Sequence, residues 1–129
     1  MKTILFVCVG NACRSQMAEG FARAYGPLDL VIYSAGSHPA GFVAEDAIDG
    51  MREKGIDISQ HASKGLSKIP LIEFDYVVTM GCGDACPMVK AKHRLDWQIP
   101  DPIGRGIEYF RSVRDDLEEK VKGLLKNLI

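Results

Sequence analysis

The sequence predicts an α/β fold built on a parallel sheet, and three observations carry the prediction. An apolar run, Thr3-Ile4-Leu5-Phe6-Val7, is followed by residues at helical spacing and then by a second apolar run, Leu30-Val31-Ile32-Tyr33. Strand, helix, strand is the parallel crossover unit. A further strand, Phe74 to Met80, comes later, and the chain closes on a long helix whose residues Ile107, Phe110, Val113, Leu117, Val121, Leu124 and Leu128 step by three or four. Such a stripe covers one face of a sheet. At 129 residues, 47% hydrophobic and 26% charged, the chain is expected to form one domain, residues 1–129, around a single core.

The first strand ends at Cys8. From Ser15, the residues Met17, Ala18, Phe21, Ala22 and Tyr25 give a helix one apolar face, and Gly26-Pro27 ends it. The second strand runs on into Ser34-Ala35-Gly36, and a polar loop from Ser37 to Gly41 follows. A second helix is predicted from Phe42 to Lys54, on Ala44, Ala47, Ile48 and Met51, closed by Gly55. The stretch from Gln60 to Lys68 reads as polar loop, with His61 a solvated or hydrogen-bonded residue rather than a ligand. Leu95-Asp96-Trp97 is read as a fourth, edge strand, with Trp97 packing at the core or its rim. In the last helix the charges from Arg114 to Lys122 are read as the solvated side.

The stretch the fold is organised around is Cys8-Val9-Gly10-Asn11-Ala12-Cys13-Arg14-Ser15. It joins a strand to a helix, and five residues between Cys8 and Arg14 let the backbone curl around a small tetrahedral oxyanion with its N–H groups inward. Gly10 and Asn11 are the residue types that tolerate the left-handed angles of such a curl. The helix start adds partial positive charge and Arg14 offers a planar fork for two anion oxygens. Both also favour a thiolate at Cys8. Ser15 can hydrogen-bond the sulfur or cap the helix. The candidate substrate-binding residues are therefore Val9, Gly10, Asn11, Ala12, Cys13, Arg14 and Ser15.

A net charge of −1 gives no electrostatic case for nucleic acid or an anionic membrane. No stretch approaches a membrane span, and the apolar start is too short for an export signal. We therefore expect a cytoplasmic monomer with reduced thiols, holding no bound cofactor or metal. Of four cysteines, Cys82 and Cys86 stand three residues apart beside Gly81, Gly83 and Asp84. A loop of that kind can bring two sulfurs together. Zinc is the competing use, and it usually takes two close cysteine knuckles, whereas here the first pair, Cys8 and Cys13, has Arg14 beside it. Asp101, between Pro100 and Pro102, is held in a rigid extended segment. Displacement at an oxyanion needs a proton for the departing oxygen, and a carboxylic acid near the bound anion can supply it.

These segments resemble a known family. The run from Cys8 to Gly20, Tyr33-Ser34-Ala35-Gly36, Gly55-Ile56-Asp57-Ile58-Ser59, the pair Cys82 and Cys86, and Asp101-Pro102 with Gly104 are similar to thioredoxin-linked arsenate reductases. That resemblance implies the low-molecular-weight protein tyrosine phosphatase fold, a three-layer sandwich around a four-stranded parallel sheet. It implies Cys8 as the nucleophile on arsenate, with Arg14, Asn11 and Ser15 shaping the loop and Asp101 as general acid. It further implies that Cys82 attacks the Cys8 adduct, that Cys86 then attacks Cys82, and that thioredoxin, or a glutaredoxin and glutathione system, reduces the final disulfide. Cys13 lies outside that relay.

Some family members bind potassium through side-chain oxygens in the segment matching Ala62 to Lys64; neither Ala62 nor Lys64 has such an oxygen, and Lys64 can place its ammonium there instead. Two rival functions follow from the same residues. One is phosphotyrosine phosphatase action through Cys8, Arg14 and Asp101, although Ile103-Gly104-Arg105 stands where that class has aromatic residues. The other is a noncatalytic oxyanion-binding redox sensor.

Overall fold

The computed structural model describes residues 2–81 and 89–128; Cys82 and Cys86 lie outside the described residues. Four strands, β1 (Thr3–Cys8), β2 (Val31–Gly36), β3 (Phe74–Thr79) and β4 (Ala91–Asp96), form one sheet in the order β2-β1-β3-β4, every pair parallel. Among the described residues three helices accompany them: α1 (Arg14–Tyr25), α2 (Glu45–Arg52) and α3 (Ile107–Leu128). The four-stranded parallel α/β fold expected from the sequence is the fold observed.

Along β1 the side chains alternate as a strand requires. Ile4, Phe6 and Cys8 face a large apolar cluster shared with all three helices, and Leu5 and Val7 face a smaller one with Ala35, Ile69, Phe74 and Val77. All five of the apolar residues from Ile4 to Cys8 are therefore buried, which is why this strand reads as an unbroken apolar run. On the second face, among the described residues, the covering layer is a 3-10 turn at Leu66–Lys68 and its flanks. Helix α1 lies close against its neighbours at Gly20, where a Cβ would come within 2.8 Å of Ile58 Cγ2 and 2.9 Å of Met51 Cε.

Three expectations need correction. Helix α2 begins at Glu45, not Phe42, because Ala44 is extended and its N–H is drawn away to the Ala12 carbonyl at 2.8 Å. Strand β4 extends back to Ala91 through Lys92, His93 and Arg94, which are exposed. An edge strand with little burial carries no apolar alternation to read, and its polar residues suit an unpaired edge. Trp97 does pack at the rim, 6.3 Å from the Phe6 ring.

The third correction concerns α3. Arg114 and Glu118 are 5% and 7% exposed rather than solvated. One turn apart, they flank the apolar stripe where α3 meets the end of α2 and the end of α1, and each is paired there as burial demands. Arg114 donates to the Gly50 carbonyl at 3.0 Å, to Glu53 and to Asp115. Glu118 accepts from the Tyr25 hydroxyl at 2.6 Å and pairs with Lys54 at 3.1 Å. The stripe itself starts at Phe110, since Ile107 is 55% exposed. Among the described residues no helix is long and apolar enough to cross a membrane.

Candidate active site

Cys8 ends β1, the strand from which the chain crosses to β2 on one side and later to β3 on the other. The carboxyl edge at such a switch point is where open α/β sheets place their ligands. The loop that follows has its carbonyls turned outward. Ser37 N–H donates to the Cys8 carbonyl at 3.3 Å, His38 to Val9 at 2.8 Å, Ala40 to Gly10 at 2.9 Å and Ala44 to Ala12 at 2.8 Å. The Asn11 carbonyl takes Gln16 Nε2 at 3.1 Å. Five successive carbonyls thus have donors behind them, while no described residue accepts from the N–H groups of Gly10, Asn11, Ala12 or Cys13. Four donors left open just before α1 are what an anion needs.

Asn11 alone adopts the left-handed backbone, with φ 47°; Gly10, expected to share it, does not. The side chain of Asn11 explains why it holds a conformation that costs a non-glycine residue about 1–2 kcal/mol. Its Oδ1 accepts the Lys64 N–H at 2.9 Å and Gln16 Nε2 at 3.0 Å, and its Nδ2 donates to Ser15 Oγ at 2.7 Å. Because Ser15 Oγ accepts there, its own proton is free for Cys8 Sγ, 2.9 Å away. The Ser15 N–H also points at the sulfur, at 3.5 Å. Of the two roles open to Ser15 it takes the first; α1 has no side-chain cap.

Arg14 spends one nitrogen on backbone. Its Nη1 donates to the carbonyls of Met80 and Ile99, each at 3.0 Å, and Nε and Nη2 have no partner among the described residues. Those acceptors sit two residues before Cys82 and two before Asp101, so one guanidinium ties the anion loop to both segments. Asp101 is exposed and accepts the Ile103 N–H at 3.1 Å, while Pro102 is buried. Cys13 is 6% exposed within the main apolar cluster. Burial, and then the negative charges of Asp101 and Cys8, push its thiol well above the ordinary range, so it stays protonated and Cys8 and Asp101 share its electrostatic neighbourhood.

Sequence reasoning did not find the supports behind the loop. Gln16, fully buried, donates to Asn11 and to the Ala62 carbonyl and meets His61 Nδ1 at 3.0 Å. His61 is thus hydrogen-bonded, and burial pushes its imidazole below the usual range. Ser63 Oγ donates to the Gly10 carbonyl at 3.0 Å, and the Lys64 ammonium lies on the Ala62 carbonyl at 3.1 Å. Gln16 stood inside the quoted motif and was the one available signal. The contacts from residues 37–44 are made by backbone and leave no trace in side-chain identity.

A buried sulfur beside open N–H groups, with Arg14 and Asp101 in the same neighbourhood, has the composition that displacement at a tetrahedral oxyanion requires. A family model described as low molecular weight phosphotyrosine protein phosphatase matches residues 3–129. The chain belongs to the low molecular weight phosphotyrosine protein phosphatase family. Within this phosphatase family it is similar to a glutaredoxin arsenate reductase of a Synechocystis strain, 38% identical over 99% of both chains. Among solved structures it is similar to an arsenate reductase in the phosphate binding state, with TM-score 0.91, 39% identity and full coverage of both chains. A thioredoxin-dependent arsenate reductase of Corynebacterium glutamicum superposes with TM-score 0.81 at 32% identity, over 98% of this chain and 61% of that one.

Proposed function

We propose that this chain is an arsenate reductase in which Cys8, Cys82 and Cys86 act in turn. The observation that carries the reading is Cys8 Sγ at 2.9 Å from the Ser15 hydroxyl, beside a loop whose N–H groups at residues 10–13 have no acceptor among the described residues. The relatives named above support the substrate.

In the first step the Cys8 thiolate attacks arsenic and forms an S–As bond, the oxyanion oxygens resting on the N–H groups of residues 10–13 and on Nε and Nη2 of Arg14. Asp101 gives its proton to the departing oxygen, which leaves as water. The Cys82 thiolate then attacks Cys8 Sγ. The S–As electron pair stays on arsenic, which falls from As(V) to As(III) and leaves as arsenite, and a Cys8–Cys82 disulfide forms. Cys86 attacks Cys82, freeing Cys8 and forming a Cys82–Cys86 disulfide, which a dithiol reductant of the thioredoxin or glutaredoxin class reduces. The reading places the protein in the cytoplasm as a single-domain monomer, where that reductant pool is found.

Arsenate-dependent oxidation of NADPH through thioredoxin and its reductase, run beside a glutathione and glutaredoxin arm, tests it. Multiple turnovers are expected for the parent and none for Cys8→Ser, Cys82→Ser or Cys86→Ser, with a Cys8–Cys82 disulfide trapped in Cys86→Ser. If Cys82→Ser turns over arsenate as fast as the parent, the three-thiol relay is wrong. Hydrolysis of an aryl phosphate that survives in Cys82→Ser, without arsenate turnover in the parent, supports the phosphatase alternative instead.

A further inference from the structure

The residue that makes room for the Arg14 clamp is Gly81. Its φ is +80°, and a Cβ built there would stand 2.8 Å from Arg14 Nη1, with Arg14 Cζ at 3.9 Å and the Ile99 carbonyl oxygen at an ordinary 4.0 Å. Nη1 carries two protons and donates to two carbonyls at 3.0 Å, so it has no spare bond and no alternative seat in that slot. The clashing atom is the far end of a flexible side chain. Strain from a substituent at 81 is therefore relieved by swinging the guanidinium out, at little cost to the backbone. Once Nη1 leaves the Met80 and Ile99 carbonyls, no contact among the described residues holds the direction of Nε and Nη2.

We propose that Gly81 is a positioning residue for oxyanion capture, acting through Arg14. The missing side chain is the function: it keeps open the slot that seats Nη1 and so fixes the direction of the other two nitrogens. The inference deepens the proposed function and rests on its oxyanion loop alone, not on the reduction steps.

The test is binding of inorganic phosphate to the full-length reduced protein by titration calorimetry. Gly81→Ala adds both the Cβ and backbone strain; Gly81→Asn adds the same Cβ at a residue type that accepts positive φ. Both are expected to bind phosphate about 10- to 100-fold more weakly, the range that loss of a charge-assisted hydrogen bond carries. Gly55→Ala is the strain control, since Gly55 has φ +76° with nothing within 4 Å of its Cβ, and its phosphate affinity is expected to stay that of the parent. Parent-like affinity in Gly81→Asn, or an equal loss in Gly55→Ala, overturns the proposal.

A measurement on the unaltered protein stands apart from any folding defect. Without phosphate, the Arg14 Nη1 protons are expected to give a distinct, slowly exchanging guanidinium signal by nitrogen-15 NMR, and free averaging of the two terminal nitrogens overturns the seating argument. The two readings fail separately. A parent that binds phosphate but reduces no arsenate removes the proposed function and leaves this one, whereas an active parent with a fully binding Gly81→Asn does the reverse.

Discussion

Replacing Ser15 by alanine removes one buried oxygen that serves two partners. Ser15 Oγ receives Asn11 Nδ2 at 2.7 Å and lies 2.9 Å from Cys8 Sγ, to which it can donate its proton, and the residue is fully buried. The hydrogen bond to a thiolate is of the charge-assisted kind, about 1.5–3 kcal/mol. At about 1.4 kcal/mol per factor of ten, losing such a bond corresponds to roughly 10- to 150-fold in the reactivity of Cys8 as a nucleophile. The second consequence is separate: Asn11 Nδ2 is left without its acceptor inside the fold, a cost of about 1–3 kcal/mol in stability. Alkylation by iodoacetamide at neutral pH, followed site by site by mass mapping, reads the first effect, and the urea midpoint reads the second. Alkylation of Cys8 is expected to slow by at least about tenfold, while the buried, protonated Cys13 stays inert in both proteins. If Cys8 in Ser15→Ala reacts at the parent rate and the urea midpoint does not move, the direction of the Ser15 proton has been assigned wrongly.

Three further outcomes follow from the same structure. Asn11→Gly keeps the left-handed backbone but abolishes the side-chain contacts to Ser15, Gln16 and Lys64; Asn11→Ala loses both and is expected to be the less stable in urea, by about 1 kcal/mol. Burial lowers the His61 pKa, so below the usual histidine range the unfolded chain binds the extra proton and the folded one resists it. Stability is therefore expected to fall as pH drops from neutral through that range, less so in His61→Gln, as thermal melts at stepped pH would show. Hydrogen bonds from Arg111 and then Arg114 hold the Glu53 carboxyl down to about 2; its contribution is complete above the ordinary carboxylate range and lost as pH falls toward 2. Arg111→Ala is expected to weaken that acid dependence, and an unchanged acid melting profile would show the ion pair to be inert.

Much of the fold could be read because its central strand is buried on both faces and its last helix has one. The residues Ile4 to Val7 and the stripe from Phe110 to Leu124 advertise their surroundings directly. Strand β4 does not, since Lys92, His93 and Arg94 meet solvent and are strand by pairing with β3 alone. The buried pair Arg114 and Glu118 misled for a related reason: charge predicts exposure unless a partner waits, and the partners Glu53, Asp115, Tyr25 and Lys54 come mostly from other elements. At the candidate site, Cys8, Arg14 and Ser15 were legible from type and spacing, because each contributes a side chain. The pairing of His61 with Gln16 was not, since it spans 45 residues of sequence.

The outward carbonyls of the anion loop have a corollary for which changes the surrounding surface can absorb. Donors at 38, 40 and 44 belong to the main chain, so the exposed side chains at 38 and 40 are free to drift as long as an amide proton remains, while Ala44 is also held by its packing on the main apolar cluster. The protein already carries a proline at 39, between two of the donors, where no bond is asked of it. Moving that ring by a single position in either direction would delete a tether and let a carbonyl turn back toward the ligand.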